Sequence, residues 1–222
     1  MSLYAMADLH LSLSTDKPMD VFGSAWENYV CRIKENWPLT DDDTIVIPGD
    51  ISWAMSFDEL RADFDFLASL PGKKIISKGN HDYWWNTVKK LNEFAEPYGN
   101  IFFLHNNSYE YGDISICGTR GWIQEPGAEA DVKVLRREVI RLEASLSSAK
   151  QKPVVFMHYP PLFADQKNEE IIETMKKYGV TECYYGHLHG GAFALAKTGE
   201  IDGISYKLIS ADFLGFSPIL VR

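Results

Sequence analysis

Five short clusters of aspartate, asparagine and histidine stand along the chain: Asp8-Leu9-His10, Gly49-Asp50, Gly79-Asn80-His81-Asp82, Met157-His158 and Gly186-His187-Leu188-His189. Carboxylate, imidazole and amide groups are the donors of divalent-metal sites. Their mixture suits Mn, Fe, Zn, Co or Ni better than Ca or Mg, because imidazole is a borderline-soft donor. Asp8 and His10 are two residues apart, as are His187 and His189, so on extended backbone each pair faces one side. Singly, an Asp-x-His or a Gly-Asp is more often turn chemistry than a site, and the longer clusters read as hydrogen-bonded loops or strand ends. Five of them in this order, each at the end of a predicted strand, are not what a buried core selects.

The elements that must position these residues alternate between short β-like runs and amphipathic segments, the signature of an α/β layer fold. Strands are predicted at 3–7, 44–48, 73–77, 101–104, 114–118, 153–157 and 182–185. The stretch 24–37 places Trp26, Val30, Ile33 and Trp37 at helical spacing. Ser56 and Glu59 form a capping-box pattern ahead of Leu60, Phe64 and Leu67, with Pro71-Gly72 ending that helix. Leu135, Val139, Leu142 and Leu146 define a long helix, 169–178 reads as another, and the chain from Ala192 onward reads as β only. No linker divides these elements, so 1–222 reads as a single domain. In open α/β sheets the crevice beyond the carboxyl ends of the strands is where ligands bind. Five of the six histidines fall at such ends, His105 being the one outside the set.

The ordered pattern from Asp8 to His189 resembles the calcineurin-like metallophosphoesterase superfamily. That resemblance implies a four-layer αββα sandwich with two mixed β-sheets face to face, and a site at the C-terminal ends of the strands. It implies that Asp8, His10 and His189 hold one metal, that Asn80, His158 and His187 hold a second, and that Asp50 bridges both. It further implies that His81 binds no metal and serves the phosphate or its leaving oxygen. Two ions ~3.5–4 Å apart clamp attacking and leaving oxygens, and a metal lowers the pKa of its water from about 15.7 toward ~7. The expected activity is therefore hydrolysis of a phosphoester by in-line attack of a metal-bridging hydroxide, with two divalent or mixed-valence transition ions as cofactors.

Residues beside the motifs carry open alternatives. Asp82 either orients His81 or caps a helix. Arg120, between Gly118-Thr119 and Gly121-Trp122, either grips phosphate or is a solvated turn residue. Trp53, Trp84, Trp85 and Trp122 lie near the motifs; core packing is favoured for them, with Trp84 and Trp85 the better candidates for exposure.

Departures narrow the substrate. The run Gly49-Asp50-Ile51-Ser52-Trp53 lacks the further Asp and Arg of phosphoprotein phosphatases, and Gly190-Gly191 after His189 breaks the metallo-β-lactamase pattern. A small or nucleotide-type phosphodiester is the preferred substrate, with a phosphomonoester close behind. A non-catalytic scaffold of the same fold is the competing reading, although such chains generally lose ligands.

The net charge of -9 disfavours dedicated double-stranded nucleic-acid binding. Three cysteines with no close pair suit a reducing compartment. No apolar run approaches the ~20 residues that span a bilayer, and the first motif begins at Asp8, where removal of a leader would destroy it. The expected location is the cytoplasm, away from membranes.

Overall fold

The computed structural model describes residues 1–123 and 129–222. The chain begins with β1 (Leu3–Ala5), then a 3-10 turn (Ser24–Trp26) leading to α1 (Tyr29–Glu35). Next come β2 (Thr44–Pro48), α2 (Phe57–Ser69), β3 (Lys73–Ser77), α3 (Val88–Ala95) and β4 (Ile101–Phe103). The second half holds β5 (Tyr109–Tyr111), β6 (Ile114–Thr119), α4 (Glu129–Ser147), β7 (Lys152–Met157), β8 (Leu162–Phe163), β9 (Gln166–Lys167) and α5 (Glu169–Lys177). It ends with β10 (Glu182–Tyr185), β11 (Gly199–Ile201), β12 (Ile204–Leu208) and β13 (Ile219–Leu220).

Two large sheets form, ordered β13-β1-β2-β3-β4 and β11-β12-β10-β7-β6-β5, beside a small β8-β9 ribbon. Strands β1 to β4 run parallel, as do β6, β7, β10 and β12, with antiparallel strands at edges. Parallel strands are buried on both faces, and the fully buried runs of β2 and β6 match that demand.

Three apolar interfaces separate four layers. Leu3, Ala5, Val46 and Ile75 of the first sheet meet Ile116, Val154, Phe156 and Tyr184 of the second. Behind the first sheet, Ile45, Ile47 and Ile76 pack on Ile33, Phe64, Leu67 and Leu91 of α1, α2 and α3. Behind the second, Val155, Cys183 and Tyr206 pack on Leu142, Leu146, Ile171 and Met175 of α4 and α5. The sandwich is therefore helices, sheet, sheet, helices, as the resemblance implied.

Local differences from the sequence reading have physical causes. The 24–37 helix is interrupted because Glu27 is extended and Asn28 adopts φ 53°, so α1 starts only at Tyr29. Ser56 Oγ accepts from Glu59 N as the capping box requires, but the Glu59 carboxylate reaches Met55 N, one residue early. The tail from Ala192 is not all β, since Gly190–Leu195 forms a 3-10 helix.

Candidate metal centre

Three of the five clusters leave their strands through left-handed backbone. After β1 the chain takes left-handed conformations at Asp8 (φ 60°) and His10 (φ 46°), after β2 at Asp50 (φ 50°), and after β10 at His187 (φ 70°). The expected extended geometry, with Asp8 and His10 on one side, is thus corrected: tight turns, not strand alternation, aim them. The first two turns are knitted together, with Asp8 N donating to Gly49 O, His10 N to Asp50 O and Leu11 N to Ile51 O.

The turns bring the clusters into one site. His10 Nε2 faces His189 Nε2 at 3.3 Å, and Asp8, His10 and His189 form one group able to share an ion. Around His158 Nε2 converge Asn80 Oδ1 at 2.6 Å, His187 Nδ1 at 3.2 Å and Asp50 Oδ2 at 3.6 Å. Asp50 Oδ2 also lies 3.7 Å from His10 Nε2, so one carboxylate reaches both groups. Asp8, Asp50 and His158 make a second grouping able to hold an ion, giving Asp8 a place in each. All seven residues expected to bind metal therefore meet.

The donor set fits divalent cations. Ring nitrogens that face each other cannot all be protonated, and a cation between them removes the conflict. Asp8 Oδ1 is buried with no well-aligned hydrogen bond among the described residues, His158 Nδ1 standing 3.3 Å away. Glycines leave no room for more: an added Cβ would lie 2.0 Å from Asp50 Oδ1 at Gly79, 2.3 Å from Asp8 Oδ2 at Gly186, and 2.7 Å from His158 Nδ1 at Gly49.

The electrostatics are those of carboxylates and imidazoles crowded out of water. Burial, reinforced by Asp82 and Asp8 against the opposing pull of His158, pushes the Asp50 carboxyl up to about 7. Burial alone would depress His158, yet Asp50 and Asp8 raise it to about 9. Burial and His189 hold His10 well below the usual imidazole range, and burial with His158 lowers His187 to about 3. For Asp8 burial acts upward, but His158, His189 and His10 together hold it below the ordinary carboxylate range.

His81 stands at the rim. Its backbone N–H donates to Asp50 Oδ1 at 2.8 Å, its ring lies 4.3 Å from that of Trp53, and its Nδ1 is 3.3 Å from the Tyr83 hydroxyl. Burial, then His158, lowers its pKa to about 4, which leaves the ring neutral at pH 7.

Asp82 follows neither expectation. Its buried carboxylate accepts from Asp50 N (2.9 Å), Gly79 N (2.7 Å), Ile51 N (2.8 Å) and Ser52 N (3.3 Å), and from Trp84 Nε1 (3.2 Å). It ties the turn bearing Asp50 to the loop bearing Asn80 and His81. Arg120 lies outside the donor cluster: its guanidinium sits 3.6 Å from the buried Glu138 carboxylate and over Trp122, with its side chain only 17% exposed. Trp84 is buried against Phe64, correcting the expectation of exposure, and Trp85 packs against Trp84 and Phe103. The chain turns at this point, so neighbouring side chains are not forced onto opposite faces and both reach one core.

Sequence reasoning overlooked Asp212, whose carboxylate is 2.8 Å from His189 Nδ1, and Tyr159, whose ring lies 4.2 Å from that of His187. Asp212 fixes the His189 ring, as outer partners of ligating imidazoles do. It follows β12 just as the other donors follow their strands, a signal that could have found it.

Residues 1–191 match the calcineurin-like phosphoesterase family. No curated protein is similar enough in sequence to count as a match. Among solved structures, phosphopantetheinyl hydrolase from Mycobacterium tuberculosis is similar with a TM-score of 0.62 at 17% identity, over 100% of this chain and 96% of that one. A protein of unknown function from Aquifex aeolicus is similar with a TM-score of 0.53 at 15% identity, over 99% and 95% of the two chains. These likenesses carry the fold, and the family match carries the chemistry. The chain belongs to the calcineurin-like phosphoesterase family and is a metal-dependent phosphoesterase.

Proposed function

We propose that this enzyme hydrolyses a small or nucleotide-type phosphodiester, with Asp8, His10 and His189 holding one divalent transition ion, Asn80, His158 and His187 a second, and Asp50 bridging them. The observation that carries this reading is Asp50 Oδ2 poised at similar distance from His10 Nε2 and His158 Nε2. Bound ions would supply Lewis-acid charge stabilisation and a water acidic enough to lose its proton near neutrality, suiting in-line attack on phosphorus.

The chain's own groups do the rest. His81 is neutral at pH 7, and when its Nδ1 accepts the Tyr83 hydroxyl, Nε2 carries the proton. That N–H donates a hydrogen bond to the leaving oxygen and offsets its developing charge, and the 2.8 Å bond from His81 N to Asp50 Oδ1 fixes it beside the donor cluster. Asp82 holds both loops in register, a positioning role.

The whole chain acts as one unit in this reading, supported by β13 pairing with β1 across its two ends. A net charge of -9 supports a small substrate over duplex nucleic acid, and Cys31, Cys117 and Cys183, all unpaired, support a cytoplasmic setting. Among the described residues no helix is long and apolar enough to cross a membrane.

The test loads the protein with manganese, measures bound metal, and compares turnover of bis(p-nitrophenyl) phosphate with p-nitrophenyl phosphate. About two metals per chain and faster diester turnover are expected. Faster monoester turnover would replace the diesterase reading by a phosphomonoesterase. Metal without turnover of either would leave a scaffold. A phosphopantetheinyl diester belongs in the same panel.

A further inference from the structure

Two side chains that touch His81, namely Trp53 and Tyr83, are also walls of a cleft of about 430 Å³. Met55 and Lys17 form other parts of its lining. Tyr83 is 53% exposed and Met55 64% exposed, so two large apolar side chains meet water at one mouth beside the site. Clustered exposure of that kind marks a binding surface, whereas scattered apolar residues need no explanation. Trp53 cannot sink further into the core, because its ring is stacked at 5.2 Å on His10 and lies close to His81. Lys17 Nζ sits 4.9 Å over the same indole. Asp16 accompanies Lys17 in the lining, and Glu59 adds a carboxylate that accepts from Met55 N, so the cleft carries one net negative charge.

An aromatic-walled cleft with little net charge that shares two side chains with the environment of His81 has a defined ligand chemistry. We propose that it receives the leaving group of the substrate, and that this group is a planar aromatic or heterocyclic ring lying on Tyr83 and Trp53. The inference rests on the reading that His81 serves the leaving oxygen. In the step, a water oxygen bonds to phosphorus and the bond from phosphorus to the leaving oxygen breaks with its electron pair. His81 Nε2–H donates a hydrogen bond to that oxygen, which takes its proton from the consumed water. The ring departs as a neutral phenol or alcohol.

Two methyl phosphodiesters test this, one releasing a phenol and the other a fluorinated alkanol of matched acidity, so that intrinsic leaving ability cancels. On the metal-loaded enzyme, kcat/KM for the aryl ester should exceed that for the alkyl ester about tenfold, the scale of one aromatic stack. Tyr83→Ala should bring the ratio near one, chiefly through KM. Tyr83→Phe, which keeps the ring and loses the hydroxyl, should preserve it. Met55→Ala at its exposed position should lower the ratio too, and serves if Tyr83→Ala does not fold. A wild-type ratio near one, or a ratio unmoved in the folded variants, overturns the proposal while turnover persists. Absence of turnover of both esters and of bis(p-nitrophenyl) phosphate defeats the parent reading of the site, and this inference with it.

Discussion

Replacing Asp82 by Asn changes one oxygen to an NH2 group and keeps the volume, so its effect isolates hydrogen bonding. With the amide oxygen in the place of Oδ1, the bonds from Ile51, Ser52 and Trp84 survive. The NH2 group then confronts Asp50 N and Gly79 N, which now lie 2.9 and 2.7 Å from Oδ2. Two buried donors lose their acceptor. At ~1–3 kcal/mol for each orphaned group the loss is about 4 kcal/mol, a large part of the ~5–15 kcal/mol that holds a typical domain folded. For a chain of this size each kcal/mol moves Tm by ~2–4 °C, giving a fall of roughly 8–16 °C in the metal-free protein. The same two donors sit at the roots of the turns bearing Asp50 and Asn80, so metal affinity should drop ~10–100-fold as well. Thermal unfolding followed by circular dichroism, then a metal titration of the same sample, reads both effects. A fall below ~2 °C with an unchanged titration would refute the claim that Asp82 ties the loops together.

Other consequences follow from the same geometry. Asp50→Asn and His81→Ala should each lower kcat at least ~100-fold in metal-loaded protein while the circular dichroism spectrum stays native; full activity in both would end the site assignment. Gly79→Ala places a Cβ 2.0 Å from Asp50 Oδ1, so the variant should bind less than the full complement of metal, as elemental analysis of the purified protein would show. Because His158 is raised to about 9 without metal, loading at pH 7 should release protons into a weakly buffered solution, and affinity should climb with pH up to about 9. The stability sign is set by the same shift. A histidine whose folded pKa is raised contributes fully below its unfolded value of 6.5 and loses that contribution as pH rises toward 9, so Tm of the metal-free protein should fall from pH 6.5 to about 8. Above that, buried Lys74, depressed to about 8, begins to oppose the trend, since its penalty is relieved as it loses its proton. A Tm that rises between pH 6.5 and 8 would contradict the His158 assignment.

The order of strands and helices was legible because apolar periodicity is a local signal. Thr44–Pro48, Lys73–Ser77 and Glu182–Tyr185 stand where their patterns placed them. The donor set was legible for a different reason, since residues delivered from strand ends converge whatever their separation in the chain. Long-range partnership left no such trace. Nothing in Asp82 announces that four backbone amides from two loop segments will point at it. Nor does Asp212 reveal a partner 23 residues earlier. Backbone conformation was hidden as well: Asn28 interrupts a run that has helical spacing throughout, and Asp8 and His10 depart from the strand geometry that their spacing suggested. Trp84 is buried while Trp53 and Trp85 are only partly so, a difference that composition cannot convey.

The positive φ values of Asp8, His10, Asp50 and His187 bear on how this enzyme can be altered. Left-handed backbone costs a residue with a Cβ ~1–2 kcal/mol relative to right-handed conformations, and glycine escapes that cost. Four of the seven proposed ligands thus sit where a smaller residue would give a hardier protein with no catalytic centre. Selection for heat tolerance alone, blind to turnover, should erode these positions early. Stabilising libraries for this scaffold should therefore hold the four codons fixed and draw their gains from the outer helices.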